Sequence, residues 1–343
     1  MADVMNIGRG GLLAYRTALS VTGNNIANVD TPDYNRRTAM MQETTPGGGV
    51  DVVEIRRAFD SLLAERSRSA DGKVGASETY LTHLQALENR LLPGEGGLPD
   101  VLDSFFDALD GLALAPADAG LRYAVIGAGQ ALSSSVADLA EGLQSLADGV
   151  FTETEQAAAQ VNTVLSGLAD TQGKLALASD DSARILLLDQ RDGLLSDLSD
   201  LVDIDSELGS DDLAKVRLGS DGAGPVVLDR ASAGRVSVAS ASELNVVQAD
   251  PDAPRVTMTA GNGVLSGLAS AYGSIEQAQQ DFDIWAGKLS GEMNALHAVG
   301  LTADGEAGGP LFSMTGWTAT PGALMRGDAV AQITAGLPDE MPD

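Results

Sequence analysis

The chain has 343 residues, of which 44% are hydrophobic and only 4% aromatic, and its formal net charge is −28. A surface this acidic repels phosphates, which excludes nucleic-acid binding as a main role. The sequence has no cysteine, which excludes disulfides and thiol chemistry, and it has no apolar run of about 18 residues that would insert into a membrane.

The charge is unevenly distributed along the chain. Residues 1–70 contain as many acidic as basic residues, so the whole negative excess lies beyond residue 70. A neutral first segment is able to pack densely against copies of itself, while the acidic remainder keeps the protein soluble.

The first predicted element is an amphipathic helix over residues 4–29. Its apolar stripe follows a 3-4-3-4-3 spacing and consists of Leu12, Tyr15, Leu19, Thr22, Ile26 and Val29. A lone helix of this length is marginal in water, so the stripe needs a partner helix.

The next stretch predicts a short strand at Val50–Val53 and a helix from Ile55 to Leu92, which Pro93 and Gly94 end. Asp100 is the expected N-cap of a short helix that carries Phe105 and Phe106.

Longer helices follow in the middle of the chain. One is predicted over residues 118–178, with a possible break at Gly149 and a fresh cap at Thr152 and Glu155, and another over residues 181–201. The second helix has its own apolar face, made of Ile185, Leu188, Leu195, Leu198 and Leu201.

Residues 205–260 consist instead of short runs in which apolar and polar residues alternate, a pattern typical of antiparallel strands. The predicted strands are Val216–Leu218, Val226–Leu228, Val236–Val238, Leu244–Val247 and Val256–Met258. A last helix is expected over residues 264–298, with a capping box of Ser274 and Gln277 and with Phe282, Trp285, Leu289 and Leu296 pointing inward.

These elements predict a mainly α fold, a long-helix bundle with an antiparallel β unit inserted before the last helix. The expected domains are an N-terminal helix and loop (residues 1–50), a helical bundle (51–204 and 261–300), a small β insert (205–260) and a Gly-rich tail (301–343) that begins an outer β domain.

The most specific motif follows the first helix and reads N-N-I-A-N-V-D-T-P-D-Y-N-R over residues 24–36. It resembles the N-terminal signature of the flagellar axial-protein family, the rod, hook and hook-associated proteins, whose pattern is N-N-I-A-N-x-x-T-P-G-Y-x-R. Asp33 stands where the family has glycine, and Asp is one of the residues that tolerate a positive φ.

Three later stretches are similar to the branch of this family found at the hook–filament junction. They read A-P-A-D-A-G-L-R over 115–122, L-L-D-Q-R-D-G-L-L over 187–195, and M-N-A-L-H-A-V-G over 293–300 with G-P-L-F at 309–312. The resemblance implies a structural subunit of the bacterial flagellum, located outside the cell after type III export without a cleavable signal peptide. It implies as partners copies of the chain itself, hook protein, the next hook-associated protein, an export chaperone and the export apparatus.

The residues expected to carry assembly and packing come from the helix stripe and the signature. They are Leu12, Tyr15, Leu19, Asn24, Asn25, Ile26, Asn28, Thr31, Pro32, Tyr34 and Arg36. Generic helix capping is the competing role for the three asparagines. Neighbouring subunits are expected to bury the stripe, with Pro32 and Tyr34 fixing the turn into the next layer.

The resemblance also implies a closing C-terminal heptad helix, which this sequence does not contain. The sequence is therefore expected to be either a fragment or a short member of the family, and its first helix to be mobile or self-associating in isolation.

His83 and His297 are expected to pack or to complement a helix end, and no H-E-x-x-H, G-x-S-x-G or P-loop pattern occurs. The chain is predicted to be no enzyme and to need no cofactor or metal. Two alternatives stay open: another axial protein of the hook or rod, and a secreted helical binding module or adhesin that shares the export signal.

Overall fold

The computed structural model describes residues 2–31, 34–44, 49–300, 306–315 and 330–332. In these ranges the helices are α1 (Ala2–Ala27), α2 (Ser61–Leu91), α3 (Leu98–Leu114), α4 (Ala119–Leu177), α5 (Asp181–Leu201) and α6 (Gly263–Val299). The strands are β1 (Arg37–Glu43), β2 (Val50–Arg57), β3 (Ile204–Leu208), β4 (Ala214–Leu218), β5 (Val226–Asp229), β6 (Ser232–Ala233), β7 (Arg235–Ser240), β8 (Glu243–Val247), β9 (Val256–Met258), β10 (Ser313–Thr315) and β11 (Val330–Gln332). The predicted mainly α fold with a β insert before the last helix is confirmed.

Helix α1 packs on a hairpin that the sequence only half predicted. Strands β1 and β2 pair antiparallel from Arg37 opposite Arg57 to Glu43 opposite Val50. Ala14 and Val21, one heptad apart, are the buried residues of α1, and a methyl group on Gly10 would meet the Val50 carbonyl oxygen at 3.4 Å. The close approach of a small-residue face therefore joins α1 to the hairpin.

The predicted helix start at Ile55 is wrong because β2 continues to Arg57, held by its pairing with β1. Helix α2 instead begins at Ser61, where the Asp60 carboxylate accepts hydrogen bonds from the backbone N–H groups of Leu62 at 3.0 Å and Leu63 at 3.1 Å. These bonds satisfy donors that the first turn of a helix leaves unpaired.

The predicted cap of α3 is also wrong. Gly97 is the N-cap, Pro99 lies in the first turn, and the Asp100 carboxylate accepts from the Gly96 N–H at 2.6 Å. A proline at this position has no N–H that needs an intrahelical partner, so the helix begins before Asp100.

Helix α4 runs without a break from Ala119 to Leu177, so the break predicted at Gly149 is wrong. The Thr152 hydroxyl donates to the Asp148 carbonyl at 2.9 Å rather than capping a new helix. A glycine inside a helix costs only about 1 kcal/mol, which packing along the rest of the helix offsets.

The chain divides into two compact units, and the first comprises Met1–Tyr80 and Glu153–Ala269. Its β insert confirms all five predicted strands and adds β3 and β6. The strands form two antiparallel sheets, ordered β3-β4-β5-β6 and β7-β8-β9. Val216, Leu218, Val227, Leu228 and Val246 are fully buried in them.

The second unit comprises Leu81–Thr152 and Ser270–Asp343. Its centre is Phe105, which is fully buried and meets the Phe312 ring edge-on with centroids 5.7 Å apart. Val125 and Leu132 of α4 complete this cluster. The paired aromatic rings supply a large apolar contact at the centre of this unit.

Helix α6 begins at Gly263, as expected, but Ser274 and Gln277 lie inside it, so the predicted capping box is wrong. Leu296 is 69% exposed rather than inward. None of the described helices combines the length and apolarity needed to cross a membrane.

Candidate functional site

The axial-type signature folds around Asn25. Its Oδ1 accepts from the Arg37 backbone N–H and from the Tyr34 hydroxyl, both at 2.9 Å, and its Nδ2 donates to the Arg37 carbonyl at 2.8 Å. One amide thus binds both backbone groups of Arg37 and ties the end of α1 to the start of β1. The Arg37 guanidinium also lies over the Tyr34 ring, 5.1 Å from its centroid.

Asn28 shapes the turn between α1 and this contact. Its Nδ2 donates to the Asn24 carbonyl at 2.9 Å, and its Oδ1 accepts from the Thr31 hydroxyl at 3.2 Å. Asn24 contributes its backbone carbonyl while its side chain is exposed. The asparagine cluster therefore has a local role in closing the turn.

Two further signature residues complete the picture. The Arg36 carbonyl accepts from the Ala58 N–H at 2.8 Å, and its side chain is exposed. Pro32, predicted to fix the turn, lies outside the described residues.

A buried cluster of ion pairs then joins the hairpin to α5. Arg37 Nη2 lies 2.6 Å from Asp189 Oδ2. Arg57 Nε lies 2.8 Å from Asp189 Oδ1, without the alignment of a hydrogen bond, and Arg57 Nη2 donates to Asp192 Oδ2. Arg37 and Arg57 face each other across the first rung of the hairpin, so both arginines reach one face of α5.

Arg191 extends this cluster into the β insert. Its guanidinium binds Asp192 Oδ1 through Nε at 2.9 Å and Nη2 at 2.5 Å, and its Nη1 donates to the backbone carbonyl of Asp212. Asp212 also pairs with Arg184 at 2.6 Å. We call Arg37, Arg57, Asp189, Arg191 and Asp192 the hub.

The charged groups at the centre of the hub are shielded from solvent, so their pairing affects the stability of the fold. Arg191 is 1% exposed and Asp192 5%. Arg68, which donates to the Ser206 hydroxyl at 2.8 Å, lies near Asp192. Burial lowers the pKa of the Arg68 guanidinium, while attraction to Asp192 and Glu65 raises it. Removing a carboxylate from such a cluster leaves buried positive charge without compensation.

None of the hub residues was among the predicted site residues, although the L-L-D-Q-R-D run containing three of them was recognised. The available signal was the pair Asp189 and Asp192, which lie three residues apart on one helical face beside the predicted apolar side of α5. Sequence alone could not show that Arg37 and Arg57 are their partners.

The predicted assembly stripe lies on the open side of α1. Leu12, Tyr15, Leu19 and Ile26 are 75%, 65%, 73% and 70% exposed. The buried face of α1 is instead the one with Ala14 and Val21. No described part of the chain covers the stripe, which makes it an unpartnered apolar surface.

At the end of α6, Asn294 binds both backbone groups of one residue, as Asn25 does at the end of α1. Asn294 Oδ1 accepts from the Phe312 N–H at 2.8 Å, and its Nδ2 donates to the Phe312 carbonyl at 2.7 Å. His297 Nδ1 lies 2.6 Å from the Gly309 carbonyl oxygen. A methyl group on Gly308 would come within 2.3 Å of the His297 carbonyl oxygen, so glycine is required there. The asparagine and histidine of the M-N-A-L-H-A-V-G run therefore hold the following segment, which places Phe312 in the core.

Among the described residues, no group of three or more His, Asp or Glu side chains is arranged to hold a metal ion. The pronounced chemical features of the described chain are the hub, the backbone-binding amides and the open stripe. All three suit fixing and joining of protein segments.

Comparison with known proteins gives two family matches. The model described as "Flagellar hook-associated protein FlgK helical domain" matches residues 84–312, more than half of the chain, and that of the flagella basal body rod protein matches residues 5–34.

Curated relatives and a solved structure agree with these matches. Flagellar hook-associated protein 1 of Salmonella typhimurium is 25% identical over 92% of this chain and 60% of its own length, and that of Bacillus subtilis is 26% identical over 91% and 70%. The structure of the flagellar hook junction protein FlgK from Burkholderia pseudomallei, 24% identical, has the same fold with a TM-score of 0.64, covering 75% of this chain and 47% of that one. The chain thus spans about 60% of the Salmonella relative's length. It belongs to the family of the flagellar hook-associated protein FlgK helical domain.

Proposed function

We propose that this chain is a structural subunit of the bacterial flagellum at the hook–filament junction, and that it assembles through the open stripe of α1. The observation that supports this proposal most directly is the exposure of the large apolar side chains of the stripe. The helix that bears them is held in place by the Asn25 contact and, through the hairpin, by the hub. Family membership supports the location, since the matched family is that of a hook-associated protein.

The mechanism is burial rather than catalysis. Each Leu or Ile of the stripe that a neighbouring subunit covers contributes about 1.5–3 kcal/mol. The hairpin and α5 fix the direction of α1, so less orientational freedom is lost when subunits join. In this proposal the chain is not an enzyme and uses no cofactor.

The wider setting is part of the same proposal. The chain acts outside the cell after type III export without a cleavable signal, with an export chaperone and the export apparatus as transient partners. Copies of itself, hook protein and the next hook-associated protein are its lasting partners. Leu12, Tyr15, Leu19 and Ile26 are the proposed contact residues.

The test is a chromosomal Leu19→Asp replacement in the bacterium that encodes the chain. We expect hooks without filaments and filament subunits released into the medium, because the charge cannot be buried in the seam. Asn6→Asp is the control, since it adds the same charge at an exposed position about 140° around the helix from Leu19. Normal filaments on Leu19→Asp cells, with the variant present in the flagella, would contradict the proposal.

A second candidate is another axial protein of the hook or rod, favoured by the rod-protein match over residues 5–34. The same strain separates the two, because loss of a rod or hook subunit removes the hook itself. Electron microscopy of the cell surface gives this answer directly.

A further inference from the structure

The segment from Glu306 to Phe312 lies against the end of α6 in the second unit, and we call it the strap. Its first five residues are exposed or half-buried, Leu311 is half-buried, and Phe312 at its end is only 9% exposed. Apolar burial therefore holds the strap at one end.

Polar contacts hold the rest of the strap. Asn294 binds both backbone groups of Phe312. His297 Nδ1 lies 2.6 Å from the Gly309 carbonyl oxygen, and the Gly308 N–H donates to the Gly300 carbonyl at 2.9 Å. None of these contacts is a hydrogen bond within a helix, so the strap is able to leave while α6 keeps its own backbone bonds.

The ring of Phe312 is packed unevenly. One side meets Phe105, but a cavity of about 30 Å³ lies beside it, lined by Leu132, Ser133 and Val136 of α4 and by Ala286, Leu289 and Ser290 of α6. Protein interiors have few voids larger than a water molecule, and side chains that line a void lose dispersion contacts. Phe312 therefore gains less from docking than a fully packed core residue would.

We propose that the strap is a latch that undocks from α6 while the surrounding helices stay folded. Undocking withdraws Phe312 from α4 and α6 and breaks the Asn294 and His297 contacts together. Strand β10 begins at Ser313, directly after the strap, so the latch gives this strand a docked and a free position. The inference is independent of the proposed function, because every contact it uses lies within the second unit.

The test is thiol labelling of the full chain with a water-soluble aromatic disulfide, since the sequence has no cysteine of its own. Ser133→Cys places a thiol in the cavity beside Phe312, where the Ser133 hydroxyl oxygen is shielded from solvent. Ala147→Cys places one at a 2% exposed position of α4, about 21 Å along the helix from Ser133.

Each labelling rate is divided by the rate of the same thiol in the unfolded chain. It then reports the population of the open form, provided that reclosing is faster than the reaction. Because the strap opens without the helices, we expect Ser133→Cys to be labelled at least about tenfold faster than Ala147→Cys under native conditions.

Further substitutions separate opening of the latch from unfolding of the unit. Asn294→Ala removes two strap hydrogen bonds and should raise the Ser133→Cys rate by at least about tenfold, and His297→Ala should raise it by less. Leu87→Ala is the matched control, at a 5% exposed position of α2 outside the cluster around Phe312. It weakens the helices but not the strap, so it should speed Ala147→Cys by at least about tenfold and leave Ser133→Cys within about twofold.

Three results contradict the latch. Equal normalised rates for the two thiols would show that the strap leaves only when the whole unit unfolds. The same conclusion follows if Leu87→Ala speeds both thiols equally. A Ser133→Cys rate that neither Asn294→Ala nor His297→Ala changes would mean that these side chains do not hold the strap. Circular dichroism with a melting curve checks that each variant folds, and His297→Ala, which loses a single contact, carries the test if Asn294→Ala does not fold.

Discussion

Asn25 binds Arg37 as a neighbouring β-strand would, by accepting from its N–H and donating to its carbonyl. Among the residues that the structure describes, the same bidentate contact recurs at three other amides. Asn162 holds Val236, Gln172 holds Ala214, and Asn294 holds Phe312. Each amide lies on a helix and satisfies both backbone groups of one residue in a non-helical segment, so these side chains dock strands and loops onto helices without an extra strand.

Replacing Asn25 by Ala should lower the free energy of unfolding by about 2–3 kcal/mol. The change removes three hydrogen bonds and leaves both backbone groups of Arg37 without their partner. Urea unfolding followed by circular dichroism measures the loss. Asn24→Ala is the control, because its side chain is exposed, and it should stay within about 0.5 kcal/mol of the wild type. Equal losses in both variants would mean that the Asn25 contact adds nothing to stability.

Replacing Asp192 by Asn should be among the most damaging changes in the first unit, with a loss of about 3–5 kcal/mol. The variant keeps the shape of the side chain but leaves Arg57 and Arg191 without their shared carboxylate. Asp197→Asn, five residues further along α5 and exposed, is the matched control. Chemical denaturation of both proteins measures the difference, and an Asp192→Asn variant as stable as the control would rule out a stabilising role for the hub.

Two glycines of α2 should respond in opposite directions to alanine. A methyl group at Gly72 would lie 2.8 Å from the Ser199 carbonyl oxygen, so Gly72→Ala should destabilise by about 1–3 kcal/mol. At Gly75 the nearest atom is 3.7 Å away, an ordinary contact, and Gly75→Ala should stabilise by up to about 1 kcal/mol through helix propensity. Melting temperatures of the two variants against the wild type decide this, and a stabilising Gly72→Ala would be incompatible with the close approach of α2 to α5.

The Asp283 carboxyl group should lower the free energy of unfolding at neutral pH, where it is ionised, relative to its contribution at acidic pH. Burial raises the pKa of this carboxyl group above its usual value. The folded chain therefore holds the proton more tightly than the unfolded one, and stability is lost as the pH rises through the folded pKa. Asp283→Asn should raise the melting temperature at pH 7 and have little effect at about pH 3, where both states are protonated.

Asp281→Asn, two residues before Asp283 and at an exposed position, controls for the change in net charge. A shift of the same size for both variants at pH 7 would trace the effect to overall charge rather than to the burial of Asp283.

Much of this fold could be predicted because helical periodicity is a local property. The apolar face of α5 and the five central strands of the β insert follow from residue spacing alone. Strand β1 was missed because R-T-A-M-M-Q-E has a single β-branched residue and no clear alternation. As a result, the helix predicted to start at Ile55 included residues of β2, which in the structure pair with β1.

The candidate site was predictable only in part. The Asn24, Asn25 and Asn28 cluster was expected to matter, but its spacing could not tell that Asn25 holds Arg37 whereas Asn24 offers only its carbonyl. The hub was out of reach for a different reason. Its partners come from strands and a helix far apart in the chain, and no local pattern reports such a pairing.

The same separation bears on the order in which the chain folds. Asn25 and Arg37 are 12 residues apart, whereas Arg37 and Asp189 are 152 apart and Arg57 and Asp192 are 135 apart. Closing a short loop loses less chain entropy than closing a long one, so we expect the contact of Asn25 with β1 to form before the ion pairs do. In that order of events the hairpin takes its final orientation only after α5 has formed, and we expect fixing the direction of α1 to be a late step in folding.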